Sequence, residues 1–223
     1  MWLGGGFRLR AAASRAFRLP SYTDLYYSDP ANQGSPNLQP ETAWNYEAGM
    51  QWNRGGKWVA DAAVFHRRER NGIDYVRSSP DDIWTATNIQ RLEFTGVESS
   101  VTYRVRDGQR LNFQYTYLHG TQDQLAELQS KYSFNYPVQY GLFGYEGMLP
   151  HSILARVRVG ALERYAQDPY TVVDLYASRA RGRVRPFLQL TNLTGAVYQE
   201  IQGVPMPGRG IVGGLDVLIY PSR

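Results

Sequence analysis

The end of the chain carries the clearest folding signal: residues 187–220 read FLQLTNLTGAVYQEIQGVPMPGRGIVGGLDVLIY. Two stretches of alternating side chains flank a loop rich in glycine and proline at residues 203–209. In the last stretch Ile211, Leu215 and Val217 fall on one face, because successive side chains of a strand point to opposite sides. The pattern predicts a β-hairpin with one apolar face and one mixed, polar face.

The same alternation appears in eight more stretches upstream. They begin at Phe7, Trp44, Trp58, Val97, Leu111, Tyr136, Ile153 and Val173. Each is roughly 10–14 residues long, which exceeds the usual strand of ~5–6 residues and suits a tilted membrane span of ~9–11 residues. The sequence therefore predicts an all-β fold, an antiparallel transmembrane β-barrel segment of about ten strands that forms one domain over residues 1–223.

A soluble β-sandwich is the alternative fold, since its strands also alternate between a core face and a solvent face. Charged residues such as Asp61 and Arg156 at the middle of the polar faces favour the barrel. In the barrel, Val157 is expected to face lipid. For the preceding strand the predicted apolar face consists of Tyr136, Val138, Tyr140 and Leu142.

The connections between strands are of two kinds. Short ones fall at residues 54–56, 106–109, 149–151 and 181–182, and longer polar ones at 19–41, 68–90, 119–134, 164–169 and 198–208. Short turns at one end and long loops at the other are typical of outer-membrane barrels, as are aromatic side chains at the strand ends. Residues 122–131 contain good helix formers and predict a short helix within a long loop.

Composition excludes several classes of function. The net charge is +4, from 24 Lys+Arg against 20 Asp+Glu, without a run of five like charges, so a nucleic-acid partner is not expected. The chain has no cysteine, and its histidines, His66, His119 and His151, lack the spacing of a metal site or a catalytic centre. We therefore expect no metal, no cofactor and no enzymatic activity. No apolar run reaches the ~18 residues of a membrane-spanning helix, and Met1–Gly6 lacks the features of a secretory signal.

A series of short motifs occurs in a fixed order along the chain. They are SRAFRLP (14–20), DLY (24–26), SPNLQPE (35–41), YEAG (46–49), NGID (71–74), a single Asn88, GVE (96–98), NLT (192–194) and PGR (207–209). Each motif is weak alone. In this order they resemble the TonB-dependent outer-membrane receptors, in particular those of the cobalamin and siderophore type.

The resemblance implies a location and a function. Such receptors form a barrel of about 22 strands around an N-terminal plug. The chain looks like the last ten strands, the C-terminal part of the barrel, without the plug. The implied function is uptake of a large chelate, such as a ferric siderophore or cobalamin, energised through TonB in the outer membrane of a Gram-negative cell. Its implied partners are the outer-membrane lipid, the plug domain, the TonB complex and the ligand. The alternative is a complete small barrel of ten strands with a structural or adhesive role or, less favoured, a hydrolytic one.

Two sets of residues are candidates for function. The first set, expected in outer loops and suited to stacking on a chelate or corrin, consists of Tyr22, Tyr26, Tyr27, Asn37, Tyr75, Trp84, Tyr117 and Tyr136. The second set consists of motif residues with an expected structural role: Pro40, Glu41, Gly96, Glu98, Asn192, Gly208 and Arg209. The Arg209 side chain is expected to bond loop carbonyls or neighbouring carboxylates and to fix the last hairpin.

Overall fold

The computed structural model describes residues 1–122, 128–132, 136–201 and 204–219. Within these ranges, no helix has the length and apolar character needed to cross a bilayer. The elements are β1 (Trp2–Gly4), β2 (Phe7–Arg18), α1 (Tyr22–Tyr26), β3 (Asn32–Gln33), β4 (Glu41–Arg54), β5 (Trp58–Arg77), β6 (Trp84–Arg106), β7 (Gln109–Gln122), β8 (Gln129–Ser130), β9 (Pro137–Leu149), β10 (Ile153–Arg164), β11 (Tyr170–Arg179), β12 (Val184–Thr191), β13 (Gln199–Ile201), β14 (Val204–Pro205) and β15 (Gly210–Val217).

One sheet contains all the long strands. Its order is β1-β2-β4-β5-β6-β7-β9-β10-β11-β12-β15, so each long strand pairs with the next one along the chain. These pairings are antiparallel throughout. The ten long strands confirm the predicted all-β class and strand number. In the described part of the chain β1 and β15 do not pair with each other, so the sheet is open and not a closed ten-stranded barrel.

The register divides the sheet into two faces. Ala48 lies opposite Val64, which lies opposite Val97, and Val157 lies between Tyr145 and Leu175. We call this apolar side the outer face, and the opposite side the inner face. The last two strands agree, because the apolar pairs Pro186 with Leu215 and Leu190 with Ile211 share the outer face.

Aromatic pairs cover the outer face at two heights. They are Trp44–Tyr46 near the long-loop end, and Phe7–Trp52 and Trp58–Tyr103 near the short-turn end. Trp44 and Trp52 are separated along β4 by about 26 Å at ~3.3 Å per residue. With a strand tilt of ~40°, the height between them is about 20 Å, close to the ~25 Å apolar band of an outer-membrane barrel.

The predicted apolar face of β9 was wrong. Tyr140 and Leu142 lie on the inner face, whereas Phe143 pairs with Phe113 on the outer face and Tyr145 lies beside Val157. Because β9 carries large apolar side chains on both faces, a period of two does not identify which face meets lipid.

The predicted loop at 68–90 was also wrong. β5 runs for 20 residues and β6 for 23, and only residues 78–83 connect them. Charged residues of the extended strands bind one another: Arg68 of β5 bonds Glu93 of β6 at 2.9 Å, and Arg91, two residues from Glu93 on the same strand, bonds that carboxylate at 2.6 Å. The hairpin therefore extends well beyond the aromatic pair of Trp44 and Tyr46.

The buried core lies at the far end of this hairpin. Its buried side chains include Val76, Ala86, Ile89 and Leu92. Beside them, β3 forms a parallel pairing with β6, β8 forms an antiparallel pairing with β5, and the Tyr75 hydroxyl contacts the Thr23 carbonyl of α1. We call residues 70–92, α1, β3, β8, Lys131 and Tyr132 the cap. The helix predicted for 122–131 falls mainly on residues 123–127, which lie outside the described residues, and Gln129–Ser130 form β8.

Candidate ligand-binding cap and membrane-facing wall

Helix α1 presents two tyrosines at the surface of the cap. The helix begins with a capping box, in which the Ser21 hydroxyl accepts from the Asp24 N–H at 3.1 Å and the Asp24 carboxylate accepts from the Ser21 N–H at 2.9 Å. The rings of Tyr22 and Tyr26 lie 5.2 Å apart and are 78% and 56% exposed. Tyr27 follows the helix and donates to Asp29 at 3.0 Å. The cap thus carries an exposed aromatic surface that is held by local hydrogen bonds.

A carboxylate cluster joins α1 to the sheet. Arg18 binds Glu41 through two guanidinium nitrogens and also binds Asp24 at 3.1 Å. Glu41 accepts a further bond from the Ile73 N–H at 2.6 Å. Burial alone would raise the pKa of Glu41, but the bonds from Arg18 and Ile73 outweigh it and hold the pKa below its ordinary value. The pKa of Asp24 is also lowered, because bonds from Ser21 and Arg18 outweigh the opposing effect of its burial.

Asn88 fixes the segment that precedes Glu41. Its amide accepts from the Gln39 N–H at 2.7 Å and donates to the Gln39 carbonyl at 3.0 Å. The same amide nitrogen donates to the Asn71 carbonyl at 2.8 Å. Pro40 and Glu41 are therefore anchored on both sides, and Asn37 is exposed in the same segment.

The centre of the cap is a lysine among aromatic rings. The Lys131 ammonium lies 5.5 to 5.9 Å from the ring centroids of Tyr75, Trp84 and Tyr132 and donates to the Asn32 side chain at 2.8 Å. Such distances give a favourable cation–π attraction. Arg77 covers the Trp84 ring at 4.2 Å.

Two buried groups complete this centre. The Tyr75 hydroxyl donates to the Thr23 carbonyl of α1 at 3.4 Å, and burial together with the charge of Asp24 raises its pKa. Asp74 is 1% exposed and accepts from the Ser130 hydroxyl at 2.5 Å and from the Tyr132 N–H at 3.2 Å. Asp74 thereby attaches β8 and the residues after it to β5.

The structure brings five of the eight candidate ligand-binding residues together in or beside the cap: Tyr22, Tyr26, Tyr27, Tyr75 and Trp84. Tyr117 lies on the outer face opposite Val97, away from this group. Tyr136 stacks on Tyr165 at 5.5 Å, and its hydroxyl accepts from the Gly120 N–H at 3.1 Å.

Sequence reasoning missed two cations that contact aromatic rings in the cap, Lys131 and Arg77. Lys131 is 99 residues from its partner Asn32, and Arg77 lies in a stretch that was predicted to be a loop. A contact over such a sequence distance leaves no local pattern. Once β5 is known to extend to Arg77, the position of that arginine close to Trp84 follows from the hairpin register.

The inner face carries ion pairs where the outer face is apolar. Arg10 binds Asp61 through two nitrogens at 2.6 and 2.8 Å and Glu47 at 3.0 Å. Glu146 accepts from both Arg110 and Arg156, at 3.1 and 2.8 Å. This face suits water or a polar protein surface. Among the described residues, no group of three acidic or histidine side chains could hold a metal ion.

The two-faced wall and its motifs match a known family. The family model described as TonB dependent receptor-like, beta-barrel, matches residues 3–196. The chain belongs to this family. The predicted resemblance is therefore confirmed.

Curated relatives of this TonB-dependent receptor barrel are named as transport or outer-membrane proteins. This chain is 31% identical over 132 residues to the iron-regulated outer membrane virulence protein of Vibrio cholerae. The alignment covers 51% of this chain and 20% of that protein. This chain is 28% identical over 88 residues to the vitamin B12 transporter BtuB of Vibrio vulnificus. That alignment covers 40% of this chain and 14% of the transporter.

Solved structures show the same fold over nearly the whole chain. The copper transporter OprC matches with a TM-score of 0.72 at 19% identity, covering 97% of this chain and 38% of that one. The siderophore receptor PirA from Pseudomonas aeruginosa matches with a TM-score of 0.68 at 18% identity, covering 94% and 36%. This chain thus spans well under half the length of these receptors.

The remaining motif residues of the receptor barrel lie in packed turns and on the inner face. Asn192 is 3% exposed, its amide donates to the Ala196 and Pro207 carbonyls at 2.9 and 3.2 Å, and its side-chain oxygen accepts from the Ala196 N–H. Arg209 donates to the carbonyls of Leu193 and Thr194 at 3.2 and 3.4 Å. Gly208 precedes it and is exposed.

The GVE motif lies on β6. A side chain at Gly96 would overlap the ring of Phe65, which covers this glycine on the inner face. Glu98 follows on the same face and lies opposite Ala63 and Thr116 in the register. The structural role of these motif residues remains a prediction.

Proposed function

We propose that this chain supplies wall strands and part of the outer ligand surface of a Gram-negative outer-membrane receptor. The receptor takes up a large chelate, such as a ferric siderophore or cobalamin, and is energised through TonB. The observation that carries the proposal is the position of the cap, which places exposed tyrosine rings and two cations that contact aromatic rings beyond the long-loop end of a wall with one apolar face.

The chemistry of the cap supports a large, flat ligand. The exposed rings of Tyr22 and Tyr26 offer stacking surface, and aromatic side chains give large contact area with a fixed geometry. Arg77 and Lys131 add positive charge to the same cap. The names of the relatives, which include vitamin B12 transporters and an iron-regulated protein, support both ligand classes.

The two faces of the wall support the proposed partners. The outer face would contact outer-membrane lipid between its aromatic pairs. The inner face, with Arg10, Arg110 and Arg156 paired to carboxylates, would contact a plug domain and water. Transport through such a receptor is a binding and conformational process and not a chemical reaction, so we propose no enzymatic role.

Uptake by intact cells tests the proposal. We expect that deletion of the gene lowers uptake of radiolabelled ferric siderophore or of radiolabelled cobalamin, and that the intact gene restores it. The double variant Tyr22→Ala and Tyr26→Ala should weaken the apparent affinity about tenfold, if each lost ring contact is worth roughly 0.5–1.5 kcal/mol. Phe17→Ala, which removes an exposed ring on β2 outside the cap, should leave uptake unchanged. Unchanged uptake of both ligands after deletion would contradict the proposal.

A further inference from the structure

The short turns of the sheet carry a strong excess of positive charge. Residues 54–57, 104–108 and 179–183 contain one acidic residue, Asp107. The basic residues in these turns are Arg54, Lys57, Arg104, Arg106, Arg179, Arg181 and Arg183. Since the net charge of the whole chain is only +4, the basic excess is concentrated at this end of the wall.

The arginines of the β11–β12 turn differ from the paired arginines at the middle of the inner face. Arg10, Arg110 and Arg156 form ion pairs with carboxylates on the inner face. Within the described ranges, Arg179 and Arg181 form no ion pair with a carboxylate. Their charge is therefore available to an anion from outside the chain.

An open groove lies on the outer face directly beside Arg179. It has a volume of about 440 Å³ and runs over β10, β11 and β12. Its apolar lining comes from Ile153, Ala177, Pro186 and Leu188, and its polar end from Arg179 and His151. The register explains this arrangement, because Ile153 pairs with Arg179, and Ala177 pairs with Leu188.

The groove continues the apolar surface of the wall. On the outer face of β11, Val173, Leu175 and Ala177 precede Arg179, so apolar residues extend to the point where the charge begins. A molecule that fits this surface has a hydrocarbon chain above and an anionic group at the level of the turns. A phospholipid has this shape, and clusters of basic side chains at a membrane surface attract anionic headgroups.

We propose that this groove is a binding site for an anionic phospholipid of the leaflet at the short-turn end of the wall. One acyl chain lies along Ile153, Ala177 and Leu188, and the phosphate accepts hydrogen bonds from Arg179 and His151. The site rests on the membrane location given above but is independent of which chelate the receptor carries. It would hold the wall at a fixed depth in the bilayer.

Photo-cross-linking tests the site in the full chain. The protein is reconstituted into phosphatidylcholine vesicles that contain a minor fraction of phosphatidylglycerol with a photoreactive acyl chain, and the parallel sample carries the same chain on phosphatidylcholine. We expect phosphatidylglycerol to label the peptides containing Ile153, Ala177 and Leu188 more strongly than phosphatidylcholine does. Equal labelling by the two lipids would overturn the proposal.

Matched variants test whether Arg179 binds the anionic headgroup. Arg179→Gln should lower the preference for phosphatidylglycerol about fivefold, the effect of one arginine near an anionic surface. Arg54→Gln is the control, because Arg54 belongs to the outer-face register at the same end of the sheet but lies in a different turn. An equal loss in both variants would indicate a diffuse surface charge and would overturn the specific site.

A second variant keeps the test decisive if Arg179→Gln fails to fold. Ala177→Phe fills the groove and keeps the arginine, so labelling of the peptides with Ile153 and Leu188 should fall severalfold. Unchanged labelling would overturn the proposal. Labelling around Val157 by both lipids reports membrane insertion itself, so its absence would identify failure of the membrane location and not of the lipid site.

Discussion

The carboxylate of Glu41 accepts a hydrogen bond from the backbone N–H of Ile73 at 2.6 Å, although 32 residues separate the two. The same carboxylate binds Arg18 of β2. Three strands, β2, β4 and β5, are therefore joined at one point where the wall ends and the cap begins. The Glu41 side chain thus links the end of the wall directly to the cap.

Replacing Glu41 tests this junction. Glu41→Gln keeps the size of the side chain but loses the charge that Arg18 and the Ile73 N–H share. We expect the free energy of unfolding in urea to fall by about 1–3 kcal/mol, the usual effect of breaking a part-buried hydrogen bond to a charged group. Glu47→Gln is the control, since Glu47 forms an exposed pair with Arg10, and exposed pairs contribute about 0–1 kcal/mol. Equal losses in both variants would contradict a special role for Glu41.

The lowered pKa values of Glu41 and Asp24 predict an acid-sensitive cap. A carboxyl whose pKa is lowered on folding stabilises the folded protein at pH values above its ordinary pKa. That ordinary pKa is 4.5 for Glu41 and 3.8 for Asp24. This stabilisation is lost as the pH falls through the lowered, folded-state value. We expect the urea concentration at the unfolding midpoint of the wild type to be lower at about pH 3 than at about pH 6. The difference between the two pH values should be smaller in Glu41→Gln. The same pH dependence in both proteins would contradict the assignment to Glu41.

The two faces of β10 predict that substitutions at neighbouring positions differ strongly in their effect on membrane insertion. Val157 lies between Tyr145 and Leu175, whereas Arg156 binds Glu146 on the inner face. Val157→Arg should cost roughly 2–4 kcal/mol near the bilayer midplane and should reduce the folded fraction in outer membranes. Arg156→Gln should have little effect, because it changes a solvated pair. Similar folded fractions, measured by the gel shift between heated and unheated samples, would contradict the face assignment.

Asn192 predicts a stability effect in the loop that follows β12. It is buried, has a positive φ of 49°, and bonds both Ala196 and Pro207. Asn192→Ala leaves these backbone groups without the amide and should lower the free energy of unfolding by about 1–3 kcal/mol. Asn112→Ala is the control, because the Asn112 side-chain oxygen accepts from the Thr102 hydroxyl, a side chain that can turn to another partner. If Asn112→Ala proves the more destabilising, the proposed role of Asn192 is wrong.

Much of the wall could be predicted from the sequence, because alternation is a local property. The faces of β10, β12 and β15 followed from the period of two. Arg209 donates to loop carbonyls, one of the two kinds of partner that its position after Pro-Gly suggested. The face of β9 did not follow, because Leu142 and Phe143 put large apolar groups on both sides. The length of β5 did not follow either, because a strand outside the membrane needs no apolar face.

The cap could be predicted only in part. Tyr22 and Tyr26 were evident as loop aromatics, and Glu41 as a motif residue. The position of Lys131 among three rings depends on contacts between segments far apart in the sequence, which no local pattern encodes. Asp74 was visible only as part of a motif, and its burial depends on Ser130 and Tyr132.

In the proposed receptor, one face of the sheet meets lipid and the other meets water. The chain has no cysteine, so single cysteines can be placed at successive positions from Ala155 to Gly160 without a background. The measurement is the rate of labelling by a membrane-impermeant thiol reagent in outer membranes. We predict slow labelling at residues 155, 157 and 159 and fast labelling at residues 156, 158 and 160. Uniform labelling along this strand would contradict this prediction.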